Sequence, residues 1–223
     1  MIRHRKGQFF LIVAVFYCII LLSIASYVIA VISSPPSAMI QGDQYAYTNI
    51  KSQCIRVVQV SLANFTNGGS SNILYLNLKN WNYSTQNFFA KEGFSLYLSY
   101  TSFGMKENWN QSYSWSKANA SFTMILQSES SQMMDIFTVK SELYANITQV
   151  TSWNTTYSCV YVKVWKEASA PVVSATVNVN VNSTSVQATN NGNGIYVAIV
   201  HHSSSPYIVK VWDSRSIFVQ AKT

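Results

Sequence analysis

The sequence predicts an α+β fold that is mainly β. An N-terminal transmembrane helix leads into an antiparallel β-rich ectodomain, which ends in a C-terminal immunoglobulin-like β module. Three observations carry this expectation. Residues 9–32 hold 24 positions without a charge. From Gly93 onward, apolar and polar residues alternate with period two, the pattern of half-buried strands. Beyond Ala170-Pro171 the alternation recurs in short runs separated by turn residues, the spacing of a small sandwich. The predicted segments are 1–33, a basic head and transmembrane helix; 34–170, a helix plus antiparallel sheet; and 171–223, a small β-sandwich-like module.

The uncharged run would make a helix roughly 36 Å long, enough to cross a hydrocarbon core of ~30 Å with some tilt. Arg3, Arg5 and Lys6 precede it, and the next charge is Asp43. By the positive-inside rule, this places residues 1–6 in the cytoplasm and everything after Ser33 outside a cell membrane crossed once. Ser33-Ser34-Pro35-Pro36-Ser37 reads as a stiff polar linker. In 47–63, Ile50, Cys54, Val57, Val58 and Leu62 fall at helical spacing. A loop around Gly68-Gly69 follows, then a more ragged helical stripe over 73–90 through Leu74, Leu78, Trp81 and Phe88-Phe89. Strands are predicted at 94–100, 118–126, 136–147 and 157–165. In the last, Val160, Val162 and Val164 point one way and Tyr161, Lys163 and Trp165 the other. The final segment opens on a strict alternation from Val173 to Asn182. Strands follow at 186–189, 195–201, 207–212 and 217–222, with turns at Asn190-Asn191-Gly192-Asn193-Gly194 and Ser203-Ser204-Ser205-Pro206.

Charged residues make up only 10% of the chain, and Ser, Thr and Asn fill the polar positions. Three of the fifteen Lys and Arg lie in the head, leaving twelve against eight Asp and Glu. Along the sequence these are scattered singly, without a basic stripe or basic–aromatic interleaving, so no nucleic-acid partner is expected. Cys18 reads as an apolar filler of the membrane run. Cys54 and Cys159 both lie outside, where two cysteines read as one disulfide. The alternative is two unpaired buried thiols. Seven Asn-x-Ser/Thr sequons, at Asn64, Asn82, Asn110, Asn119, Asn146, Asn154 and Asn182, are glycosylation candidates.

Catalytic chemistry is not expected. His201 and His202 are adjacent at a strand end, so their side chains point to opposite faces. Ser203 follows, but no Gly-x-Ser-x-Gly elbow exists. The histidine pair alone cannot fill a zinc site. No phosphate loop or dinucleotide fingerprint occurs. The expectation is a protein that is not an enzyme and uses no cofactor or metal. Tyr97, Tyr100, Phe103, Trp109, Tyr113 and Trp115 gather around a polar loop. They read either as a face for glycan or protein, or as core and cross-strand pairs; the second reading is favoured.

The head itself reads three ways. A cleaved secretory signal has a shorter apolar run than this one. An uncleaved signal anchor fits the length and charges. The third reading turns on Lys6-Gly7-Gln8-Phe9-Phe10, where a basic residue and glycine stand before the apolar helix. This stretch resembles the class III signal of archaeal type IV pilin-like cell-surface proteins. The resemblance implies a cut between Gly7 and Gln8 by a prepilin peptidase-like enzyme, with the helix retained. It also implies pilin or surface-layer proteins, or glycans, as partners. The chain departs from the pattern of filament-forming pilins at Ile12, where many carry Glu. It departs again at Pro35-Pro36, which interrupts a helical spine. The expected function is a membrane-anchored, extracytoplasmic, pilin-like surface glycoprotein with a structural or adhesive role, not a self-polymerising subunit. The alternative is an uncleaved, signal-anchored module that binds glycans or protein.

Overall fold

A computed structural model of the chain describes residues 37–129 and 131–223, with side chains from residue 42 onward. The apolar run 9–32, the Gly7-Gln8 pair, Ile12, Cys18 and the Pro35-Pro36 linker lie outside the described residues. Among the described residues no helix is long and apolar enough to cross a membrane. The chain divides into two compact units, Met1–Tyr45 and Ala46–Thr223. The second unit holds the body of the fold.

Two helices open the described chain: α1, Ser37–Thr66, and α2, Ile73–Lys91. Ile50, Cys54, Val58 and Leu62 recur every fourth residue on α1, and all four are fully buried. The helix closes where Thr66 Oγ1 donates to Leu62 O at 2.9 Å. Gly69 then runs so close to α1 that a Cβ there would lie 2.6 Å from Asn64 O. On α2 the buried stripe is Leu74, Leu78, Thr85 and Phe89. The predicted helix over 47–63 is found, but it begins ten residues earlier, at Ser37. The linker pattern includes Ser37, yet nothing from Ala38 to Gln44 opposes a helix except Gly42, which costs only about 1 kcal/mol.

The rest is mainly β, in two antiparallel sheets. The first is a long meander of β1 Ser95–Asn108, β2 Tyr113–Gln127, β3 Gln132–Ser152 and β4 Tyr157–Lys166. After β4 come a single 3-10 turn, Glu167–Ser169, and the remaining strands: β5 Thr176–Val181, β6 Thr184–Gln187, β7 Thr189–Asn190, β8 Ile195–His201, β9 Ile208–Trp212 and β10 Phe218–Lys222. The first sheet has the order β1-β2-β3-β4-β8-β7 and the second the order β10-β9-β5-β6. One face of β2 and β3 is buried along most of its length. At one end Phe122 meets Trp81 of α2 edge-on, with centroids 6.3 Å apart. At the other, Ser116 Oγ donates to Phe218 O of the second sheet at 2.7 Å, and Trp109 packs on Phe218. β2 and β3 outrun the strands predicted at 118–126 and 136–147. Their inner faces continue through small hydroxyls, Ser114, Ser116 and Ser141, all fully buried, which break the apolar alternation without breaking the strand.

The predicted 171–223 module needs correction. Its residues do not close into an immunoglobulin-like sandwich of their own. β8 pairs with β4 from Tyr157↔His201 to Lys163↔Ile195 and so extends the first sheet. β7 joins the edge of β8, and β5, β6, β9 and β10 form the second sheet, which lies on the inner face of β2 and β3. A stretch this short buries too little surface to stand alone. It gains its core by sharing one: Tyr196 of β8 is buried, donating to Val172 O at 3.0 Å and accepting from Ala175 N at 2.8 Å.

α1 is tied to β3 by a polar triad. Lys51 Nζ lies 2.9 Å from Asp135 Oδ2 and 3.1 Å from Tyr47 Oη. The Tyr47 hydroxyl also donates to Asp135. These two partners, the tyrosine first, hold the Asp135 carboxyl below its ordinary range. A lowered folded pKa adds stability that is present above the unfolded value of about 3.9 and is lost as pH falls through the folded one. Asp135→Asn should therefore flatten the acid side of the stability profile, read as the urea midpoint between about pH 5 and pH 2. An acid limb as steep as in the unaltered chain would count against this role.

Candidate functional site

The described surface with the most binding chemistry is the outer face of β1–β4, turned away from the helices and the second sheet. Register builds it. Lys106 lies directly opposite Lys117, and Asn108 opposite Trp115. Trp115 in turn faces Tyr144, Lys117 faces Glu142 and Asn119 faces Lys140. Tyr144 faces Trp165, and Asn146 faces Lys163. Directly opposed residues of antiparallel strands share one face, so four lysines and one glutamate surround a row of rings.

The rings are ordered. Tyr144 and Trp165 are parallel within 4°, with centroids 5.3 Å apart. Tyr113 tilts against both, 6.2 Å from Tyr144 and 5.9 Å from Trp165. Lys117 Nζ sits 4.6 Å from the Trp115 centroid and 4.9 Å from that of Tyr144. Lys163 Nζ lies 5.7 Å from that of Trp165. Tyr144 Oη donates to Glu142 Oε2 at 2.8 Å. Burial, and then this carboxylate, push the Tyr144 phenol above its ordinary pKa. The aromatic group predicted from sequence is only partly this site. Tyr113 and Trp115 join the row, whereas Trp109 turns inward, its Nε1 donating to Ser116 Oγ at 2.9 Å. Tyr100 packs edge-on against Phe103, and Tyr97 is exposed opposite Ile125 near the far end of the sheet.

A second recess, an open groove of about 620 Å³, runs between α1 and α2. Its amides tie the helices together. Trp81 Nε1 donates to Gln53 Oε1 at 3.0 Å, Gln53 Nε2 to Asn49 Oδ1 at 3.1 Å, and Asn77 Nδ2 to Ser61 Oγ at 2.9 Å. Arg56 and Asn64 line its exposed rim.

Other predicted positions are placed as follows. The processing pair Gly7 and Gln8 lies outside the described residues. The predicted disulfide is not formed: Cys54 and Cys159 are both free and buried. Cys54 belongs to the core stripe of α1, on the inner side of the first sheet. Cys159 faces Thr151 and Ile199 across its neighbouring strands, on the outer face. The sheet stands between the two sulfurs. Burial pushes the Cys54 thiol up to about 12, so it is not a reactive thiolate.

Of the sequons, Asn64, Asn110, Asn119, Asn154 and Asn182 are exposed, and Asn82 and Asn146 are half-buried. Asn82 and Asn119 already donate their side-chain nitrogens, to Leu98 O at 3.1 Å and Ser102 O at 2.8 Å. The hydroxyl of the Asn64 sequon belongs to Thr66, which is buried.

His201 and His202 diverge as predicted. The His201 ring lies 4.6 Å from that of Tyr157, whereas His202 Nδ1 is 3.0 Å from Ser158 Oγ. Sequence reading missed this Ser–His contact, which joins residues 44 apart. Ser158 is buried and also accepts from Tyr207 Oη at 3.2 Å. The contact therefore ties β4 to the second sheet. The basic–aromatic face was missed too, because its residues converge only through strand register.

No protein-family model, curated protein or solved structure matches the chain.

Proposed function

We propose that this chain is a membrane-anchored, extracytoplasmic surface protein of the type IV pilin-like kind, with a structural or adhesive role. In this reading residues 9–32 form its transmembrane helix. The observation that carries the proposal is Lys6-Gly7-Gln8 directly before 24 uncharged residues, an order that suits cleavage on the cytoplasmic side with the helix retained. Five exposed sequons and an outer sheet face of lysines and rings support a body that meets glycans or proteins outside the cell. A prepilin peptidase-like enzyme is its processing partner. Pilin subunits, surface-layer proteins or glycans are its contacts.

The chain is a binding protein, not an enzyme, and it does not build a filament alone. Ile12 removes the buried charge that would otherwise pair within packed membrane helices. Apolar packing alone directs register weakly.

The mature N-terminus tests this reading. In a host with a prepilin peptidase, mass spectrometry should find a chain beginning at Gln8, and Gly7→Val should block the cut. In such cells the chain should be a membrane-held monomer, or a minor component of fibres built mainly from another subunit. A mature chain beginning at Met1 would favour the uncleaved signal anchor, and one beginning beyond Ile32 a secreted protein. Fibres made chiefly of this chain would overturn the statement on polymerisation.

A further inference from the structure

We propose that the outer face of β1–β4 is a binding face for an acidic polysaccharide, with Lys106, Lys117, Lys140 and Lys163 meeting its acidic groups. The choice of a polysaccharide rests on the extracytoplasmic reading above. The charge argument does not.

The first argument is uncompensated charge. Among the described residues the ion pairs are Lys51 with Asp135, and Arg215 with Glu167 and Asp213. None of the four face lysines takes part in one. Glu142 accepts the Tyr144 hydroxyl, and Glu167, which also acts on the Tyr144 phenol, is paired with Arg215. The face is therefore strongly cationic in a chain where charge is sparse.

The second argument is a local cost. Lys106 and Lys117 are directly opposed across β1 and β2. Like charges at opposed positions destabilise a sheet. An acidic group bound on this face offsets that repulsion. The rings strengthen the effect. They back Lys117 and Lys163 with apolar surface, where the effective dielectric constant is lower than in water.

The third argument concerns which anion. Tyr144 and Trp165 stack on each other, and the Lys117 ammonium lies over Trp115 and Tyr144. Their ring faces are largely engaged already. A nucleobase or a neutral sugar held by stacking needs a free ring face, whereas an acidic group needs only the ammonium ends. The scale points to a chain. Lys140 and Lys163 lie on adjacent strands, six residues apart in register, because Lys163 faces Asn146. At about 3.4 Å per residue that is roughly 20 Å, longer than one monosaccharide.

The test uses the full chain in nanodiscs of neutral phosphatidylcholine, with immobilised polygalacturonate as the probe. Dextran and oligothymidylate are the comparison polymers. Polygalacturonate should bind at about 50 mM salt and weaken steeply by about 300 mM, as screening shortens the reach of the lysines. Lys106→Gln with Lys117→Gln should weaken binding about tenfold, a few-fold for each lysine. The same variant should keep or raise the thermal midpoint, since the opposed pair is relieved. Lys79→Gln with Lys91→Gln, exposed on α2, removes equal charge and should leave binding within about twofold.

Several results would overturn the proposal: no binding of polygalacturonate, equal binding of dextran, oligothymidylate binding in its place, or an equal loss in the α2 variant. All are read on purified protein with its N-terminus uncut, so they are separable from failure of the processing prediction.

Discussion

Arg215→Ala is expected to cost about 3–5 kcal/mol of stability, the range for stranding one partner of a buried ion pair. Arg215 lies in the turn between β9 and β10, as does Asp213, and reaches two other elements, the 3-10 turn and β3. Its Nε meets Asp213 Oδ2 at 2.6 Å and its Nη1 meets Glu167 Oε1 at 2.6 Å. Its Nη2 donates to Glu142 O of β3 at 2.9 Å. Alanine removes all of these together. What makes the loss large is Asp213, whose side chain is only 2% exposed. Its Oδ1 still accepts from the backbone nitrogens of Arg215 and Ile217, at 2.9 and 3.0 Å, so it stays in place as a charge without a counter-ion.

This gives a second variant that separates causes. Asp213→Asn added to Arg215→Ala keeps an oxygen for the turn and removes the charge. It should recover part of the loss. All six tryptophans lie among the described residues, so urea unfolding followed by indole emission reads the body directly. A loss below about 1 kcal/mol would mean that the pair behaves as an exposed one. No recovery in the double variant would mean that lost bonds, not a stranded charge, set the cost.

The elements were legible in the sequence because burial on one face leaves a period. The stripe Ile50, Cys54, Val58, Leu62 marked α1. The alternation from Val173 to Asn182 marked β5, whose strand proper is Thr176–Val181. The run 195–201 was read with both its ends. Pairing was not legible, because alternation says which residues are buried but not against which neighbour. The pattern of residues 171–223 predicts a small sandwich-like module leaning on the preceding sheet, whereas β8 is a strand of that sheet. The binding face failed to appear for a related reason. Lys106, Lys117, Lys140 and Lys163 stand at least eleven residues apart in the chain, and only strand register gathers them.

The cysteine pairing is a different case, since parity already held the answer. Cys159 shares its parity with Tyr161 and Lys163, not with Val160 and Val162. The outer face was thus its predicted side, while Cys54 sat in the core stripe. Compartment and cysteine number favour a pair, but the two side chains face opposite sides of the sheet.

Gly194→Ala is expected to be the other severe substitution, and it tests how the two halves of the body are joined. The Asn and Gly content of 190–194 predicts a turn. Two of its glycines have positive φ, and they differ in what surrounds them. Gly192, at +92°, has open space where a Cβ would stand. Gly194, at +73°, is buried, and a Cβ there would lie 2.4 Å from Val164 O and 3.1 Å from the Pro171 ring. Its own carbonyl accepts from Val164 N at 2.7 Å, so the strand it would displace is the one it is bonded to.

The left-handed backbone alone costs an alanine about 1–2 kcal/mol. Relief of the clash must then move β4 or the chain at Pro171 and Val172, where Tyr196 is bonded. The total should exceed about 3 kcal/mol, with the damage centred on the β4–β8 seam. Gly192→Ala, with the backbone cost but no clash, should lose only about 1–2 kcal/mol. Hydrogen exchange separates the two. In Gly194→Ala, protection should fall first along Tyr161–Lys163 and their β8 partners, while β1 and β2 keep theirs. Equal losses in the two variants would show that backbone handedness, not close approach at the seam, is what position 194 requires.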